Sequence, residues 1–134
     1  MLNQVRTSRR KRRKAKSNSR GRLSVQKPNG IIGPRVQKVG GERFAIVCVD
    51  PAKHCSEWMM ADYFGNVLIE PQSVQHQGAF FKSAVELIHQ AQQAHDIQDT
   101  LVVVERTGNY YLAPKRAFAS AGFETRVIPV SYTH

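Results

Sequence analysis

The sequence predicts an α/β domain built on a mixed sheet in the order β-β-β-α-β-α-β. Two continuous apolar runs carry that prediction, Phe44-Ala-Ile-Val-Cys-Val49 and Leu101-Val-Val-Val104, and each stops on an acid, Asp50 and Glu105. Short apolar runs of this kind read as strands buried on both faces. The third observation is the stretch between them. It holds a hairpin signal and then an amphipathic helix pattern, the connection that returns a chain to a parallel neighbour.

Residues 1–43 come first and look different. They hold fourteen Lys/Arg and one acid, Glu42. The run Arg9, Arg10, Lys11, Arg12, Arg13 and Lys14 is followed by Lys16, Arg20 and Arg22 among Ser, Asn and Gly. No hydrophobic period appears, and apolar residues are too few to offset the entropy of folding. The segment reads as a disordered basic arm. Such a run binds phosphate by default, and it positions a nucleic acid without reading its bases. Residues 44–134 hold six Lys/Arg and nine acids, so the domain is mildly acidic and the high overall charge belongs to the arm.

Gly40-Gly41 breaks the chain before strand one, Phe44–Asp50. Strand two is expected over Ser56–Phe64 and strand three over Val67–Glu70, joined at Gly65-Asn66 as a hairpin. Trp58, Met60 and Asp62 share one face of strand two, and Met59, Ala61 and Tyr63 the other. Neither face is fully polar, which suits a sheet covered on both sides.

From Gly78 to His95 the residues Phe80, Phe81, Ala84, Leu87, Ile88, Ala91 and Ala94 recur at three and four positions. That spacing makes a helix. Strand four, Leu101–Glu105, follows, and Arg106-Thr-Gly108-Asn109 is a turn. Tyr110–Ala121 looks helical with Gly122 as its stop, but Pro114 requires a late start or an irregular first turn. Glu124–Val130 closes the chain as strand five.

Two cysteines, Cys48 and Cys55, make no disulfide framework and read as reduced thiols. No apolar run approaches the roughly 20 residues of a membrane span. The N-terminus lacks the apolar stretch of an export signal, so the expected location is cytoplasmic.

If strand four lies parallel beside strand one, Asp50 and Glu105 end adjacent strands at one edge, where α/β sheets collect ligands. Two such carboxylates repel unless a cation joins them, and hard divalent cations prefer carboxylate oxygen. His54-Cys55 has no second Cys/His pair at zinc spacing. His76, His89 and His95 read as solvated, and Trp58, Phe80 and Phe81 as core.

Asp50-Pro-Ala-Lys53 and Glu105-Arg-Thr-Gly-Asn-Tyr110 resemble the motifs of the DEDD (Piv/MooV-type) insertion-sequence transposases. The resemblance covers residues 43–134. It implies an RNase H-like (RuvC-like) fold, with Asp50 and Glu105 as catalytic, metal-binding acids that hold Mg²⁺ or Mn²⁺. Lys53 and Thr107 would shape the site and Tyr110 would pack or position it. It further implies DNA cleavage and strand transfer, a structured noncoding guide RNA as partner, and a homo-oligomer in the full-length family. The family's remaining acids and its second domain lie beyond the point where this chain stops, so the chain is expected to be a truncated, inactive fragment. Two other readings stand beside this one. The first is a non-catalytic nucleic-acid-binding module acting through its basic arm. The second is one half of an actin-like ATPase, which needs a Gly-rich phosphate turn where only Gly65-Asn66 is present.

Overall fold

A computed structural model describes residues 32–129. The basic residues Arg9 to Lys14 and the last residues, from Val130 on, lie outside the described residues. The five strands are β1 (Phe44–Pro51), β2 (Cys55–Asp62), β3 (Val67–Gln75), β4 (Asp99–Arg106) and β5 (Glu124–Pro129). They form one sheet in the order β3-β2-β1-β4-β5. β1 pairs antiparallel with β2, and β2 with β3, while the β1–β4 and β4–β5 pairs are parallel. The chain is therefore α/β with a mixed sheet, and β1 sits at its centre. Among the described residues no helix is long and apolar enough to cross a membrane.

Among the described residues three α-helices accompany the sheet: α1 (Ile32–Val39), α2 (Gly78–Ala94) and α3 (Leu112–Ser120). The alternation of β1 and β4 divides the core in two. Ala45, Val47, Val49, Val102 and Val104 face α2 and α3, where they join Phe81, Ala84, Ile88 and Phe118. Phe44, Ile46, Leu101 and Val103 face the other way and are covered by Ile32, Val36 and Val39 of α1.

The helix α1 corrects the sequence reading, which runs the disordered arm to Arg43. Ile32, Val36 and Val39 stand at i, i+4 and i+7 and so share one face. Ile32 is 4% exposed, and its burial is worth about 2 kcal/mol. Arg35 fixes the helix to the sheet. Its Nε and Nη2 donate to the two Asp99 oxygens at 2.9 and 2.8 Å, and its Nη1 donates to Glu124 at 2.7 Å. The fork from Asp99 raises the guanidinium pKa. A single 3₁₀ turn, Gly41–Arg43, then feeds β1.

Other boundaries move for local reasons. β2 ends at Asp62 because its carboxylate accepts from the Phe64 and Asn66 N–H groups and the Asn66 amide, which closes a turn there. Tyr63 and Phe64 thus lie in the turn. β3 runs past Pro71 to Gln75, and a proline is tolerated because β3 is an edge strand. α3 starts at Leu112, so Pro114 falls in the first turn, where a backbone N–H has no intrahelical partner to lose. Gly122 stops it in the left-handed conformation, φ 97°.

Candidate carboxylate site at the sheet edge

Val49 pairs with Val104 in the parallel β1–β4 register, and the next residues along each strand are Asp50 and Glu105. Adjacent strands lie about 4.8 Å apart, so the two carboxylates leave the sheet side by side. Because Val49 and Val104 point toward α2 and α3, Asp50 and Glu105 point to the opposite face. Asp50 is exposed and Glu105 half-buried.

The electrostatics of the pair follow from that placement. Burial pushes the Glu105 carboxyl up from its ordinary value, and the Asp50 charge and a hydrogen bond with Asp50 push it further the same way. Two neighbouring carboxylates cannot both ionise cheaply, and a proton or a cation relieves them.

The pair borders a partly open cleft of about 150 Å³. Cys48, Met59, Pro71, Val103 and Ile128 form its apolar floor, and Glu57 joins Asp50 and Glu105 on its rim. Sequence reasoning missed Glu57. It stands directly across from Asp50 in the antiparallel β1–β2 register, and alternation along β2 places it opposite the buried Ser56 and Trp58. A register could have found it, but the hairpin signal placed the turn and not the pairing of β1 with β2. The Ser73 hydroxyl donates to Glu57. Among the described residues no three or more His, Cys, Asp or Glu side chains are grouped to hold a metal ion. Among the described residues, Asp50 and Glu105 are the two carboxylates that could hold a cation between β1 and β4.

Of the other expected site residues, Lys53, Thr107 and Tyr110 lie in the turns at the same end of the sheet. Lys53 is exposed in the β1–β2 turn and Thr107 in the turn after β4. The Thr107 carbonyl accepts from the Tyr110 N–H at 3.1 Å. Tyr110 is 43% exposed. It is Tyr111 that packs on the core, with the Arg106 guanidinium 5.5 Å above its ring.

Two expectations need correction, and the turn named for the actin-like alternative is also placed. His76 is half-buried, not simply solvated: its Nε2 lies 2.8 Å from the buried Ser56 hydroxyl and its ring stacks on Phe81 at 5.8 Å. Burial, with a smaller contribution from His54, lowers its pKa. Phe80 is 46% exposed, whereas Trp58 and Phe81 are core as expected. Gly65-Asn66 lies at the far end of the sheet from Asp50, because Asp62 at the end of β2 pairs with Ala45 near the start of β1. That turn cannot present backbone to a phosphate held at Asp50.

No family model matches the sequence, and no curated protein matches it. Among solved structures, the chain is similar to a Bacteroides thetaiotaomicron protein with an actin-like ATPase fold and unknown function. The TM-score is 0.43 at 8% identity, over 85% of this chain and 41% of that one. It is also similar to an exopolyphosphatase from Cytophaga hutchinsonii, with TM-score 0.37 and 11% identity over 63% of this chain and 34% of that one. An Aquifex aeolicus PPX-GPPA enzyme gives 0.34 and 10%, over 64% and 36%. The chain spans less than half the length of each of these proteins. Similarity at this level says nothing about what the chain does.

The DEDD transposase assignment is corrected by these comparisons. No family or curated match supports it, and the structures that align are actin-like ATPase-fold and exopolyphosphatase proteins. The RuvC-like attribution, DNA transposition, recombination and strand transfer fall with it. The physical reason lies in the motifs themselves. Asp50-x-x-Lys53 and Glu105-x-Thr-Gly-x-Tyr110 are short, and their core is an acid that ends a buried strand beside a turn. Any α/β sheet with ligands at its carboxyl edge favours that pattern.

Proposed function

We propose that the carboxyl edge of the sheet binds a divalent cation between Asp50 and Glu105 and, through it, a phosphate-bearing ligand. The observation that carries this reading is the parallel β1–β4 register, which sets the Asp50 and half-buried Glu105 carboxylates side by side at one edge; burial and Asp50 push the Glu105 carboxyl up. A cation at the pair offsets that repulsion. The donor set is two hard oxygens on an open edge. This fits Mg²⁺ or Mn²⁺, which take one or two carboxylates and leave other positions to water and ligand phosphates. When bound, such an ion polarises a phosphate oxygen. Asp50 and Glu105 would hold it, and Lys53 and Thr107 would supply a point charge and a hydroxyl to the phosphate. The finer description of the fold as RNase H-like belongs to the same proposal. It is supported by the central β1, the antiparallel meander and the parallel β1–β4 pair.

The test is Mn²⁺ titration of the full chain, followed by calorimetry and by paramagnetic broadening of side-chain resonances. Saturable binding lost in both Asp50→Asn and Glu105→Gln is expected. Equal binding in wild type and the two variants would remove the proposal.

A second reading, nucleic-acid binding through the basic arm, is favoured by the charge segregation. Residues 1–31 hold eleven Lys/Arg and no acid. Arg9, Arg10, Lys11, Arg12, Arg13 and Lys14 would then contact DNA or RNA phosphates. Binding to a random-sequence duplex should weaken steeply with salt and vanish when residues 1–31 are removed. Unaltered binding by the shortened chain would exclude it.

A further inference from the structure

The helix α2 enters the fold without a side-chain cap. Its N-cap residue is Gln77, whose side chain makes no capping bond, and its first turn holds no acid. The residue before the cap takes over the task. The His76 ring stacks on Phe81, with centroids 5.8 Å and planes 15° apart. The residue preceding an N-cap and the fourth residue of the helix are the two positions that a hydrophobic staple joins, and such a staple fixes the angle at which the chain enters. Here the outer half of the staple is an imidazole.

His76 also ties the start of α2 to the sheet. Its backbone N–H donates to the His54 carbonyl at 2.9 Å, which joins the turn after β3 to the β1–β2 turn. Its Nε2 lies 2.8 Å from Oγ of the fully buried Ser56. Phe81 in turn stands edge-on to the buried Phe118, so the staple rests on the core between sheet and helices.

The groups around the ring favour its neutral form or are indifferent to its charge. From β2, the Ser56 hydroxyl can donate or accept. From the β1–β2 turn His54 faces it, and from α2 the Phe81 ring and the positive end of the helix dipole. Among the described residues no carboxylate acts on it. Burial first and His54 second hold the imidazole below the ordinary histidine range.

We propose that His76 is an acid-released latch: neutral, it staples the first turn of α2 and holds the β1–β2 turn, and protonated, it leaves Phe81 and frees both turns. The direction follows from linkage. A histidine that resists its proton while closed takes it up on release, so the closed form holds above the ordinary histidine range and is lost as pH falls below it. The β1–β2 turn carries Lys53, so order at the working edge follows the same titration. The latch requires no ligand at Asp50 and Glu105 and stands whether or not a cation binds there.

Amide exchange of the full chain, followed by NMR between about pH 8 and about pH 5 and corrected for intrinsic rates, tests it. The His76 N–H is bonded to His54, and the Phe80 and Phe81 N–H groups to the Gln77 carbonyl. Protection of these three amides should fall about tenfold relative to Val102 and Val104 in β4, as expected for release coupled to uptake of one proton. His76→Phe keeps an apolar staple that cannot titrate and should abolish the fall, whereas His54→Gln should shift it to higher pH. The wild-type His76 imidazole resonances, which need no variant, should titrate below the ordinary histidine range. Titration within that range overturns the proposal. So does a fall that persists in His76→Phe, or one shared equally by Val102 and Val104.

Discussion

Replacing Arg35 tests whether α1 is part of the folded domain. The guanidinium makes a two-pronged contact with Asp99 and a third bond with Glu124, and its carbon sits 5.5 Å from the centre of the Phe44 ring. The Arg35 and Asp99 side chains are each 26% exposed, so the pair is neither a free surface ion pair nor a buried one. An exposed pair contributes up to about 1 kcal/mol, and a hydrogen bond to a charged group about 1.5–3 kcal/mol when shielded. The fork should then contribute about 1 kcal/mol, the Glu124 bond about 0.5 and the contact with Phe44 about 0.5. Arg35→Ala is expected to cost about 2 kcal/mol in urea unfolding, followed by the fluorescence of the buried Trp58. Arg35→Lys keeps the charge but not the fork, and should lose about half of that.

The pH dependence of that difference has a definite sign. Burial works against the Glu124 carboxylate, but hydrogen bonds from Arg126 and Arg35 prevail and hold it below the usual glutamate range. A depressed carboxyl stabilises the fold above the unfolded value and loses that contribution as pH falls through the folded one. The gap between wild type and Arg35→Ala should therefore narrow in acid. A cycle of Arg35→Ala with Asp99→Asn should give a coupling of about 1 kcal/mol. If Arg35→Ala unfolds at the wild-type midpoint, or the cycle shows no coupling, α1 is not held as described.

Three further outcomes follow from the same structure. The Glu105 carboxyl is pushed up, so its contribution to cation-free stability is full below the unfolded value and declines as pH rises through the folded one. Glu105→Gln should abolish that decline and stabilise the cation-free protein by about 0.5 kcal/mol at neutral pH, given solvent screening of a half-exposed pair; calorimetric scans across pH would show it, and an unchanged profile would contradict the pairing with Asp50. Phe118 is fully buried, edge-on to Phe81 and Phe123, and Phe118→Ala should cost about 3–5 kcal/mol in chemical denaturation. Removal of residues 1–31 should leave the cooperative unfolding transition intact, whereas removal of residues 1–43 strips α1 from Phe44, Ile46, Leu101 and Val103 and should abolish it.

The sheet was legible because its strands carry their own signal. Phe44–Val49 and Leu101–Val104 are buried on both faces, so they must be apolar throughout, and their parallel pairing follows from the crossover through α2. That pairing also carried Asp50 and Glu105 to one edge. α1 was not legible because a helix of eight residues with Gly33 and Pro34 in its first turn has weak local preference. It is held by Arg35 bonds to residues 64 and 89 positions away, which no local pattern reveals. Glu57 depends on the β1–β2 register, and His76 on a buried hydroxyl that only tertiary packing supplies. The family reading failed for another reason. Strand-end acids report sheet geometry, and geometry is shared by proteins of different activity.

The two ends of the sheet are tied very differently. At the end where β1 begins, the Gly41 carbonyl takes the Tyr63 N–H at 3.1 Å, and the Arg43 carbonyl takes the Gln98 N–H at 2.8 Å. Phe64 lies so close over Gly41 that a side chain there would displace the ring. With the Arg43–Asp96 pair and the Arg35 clamp, the segment ahead of β1 laces the hairpin to β4 and β5. Protection of backbone amides against exchange should be graded along each central strand, slowest beside this seam and fastest toward Asp50 and Glu105. The fastened side then holds the strands in register for the edge that carries the two carboxylates.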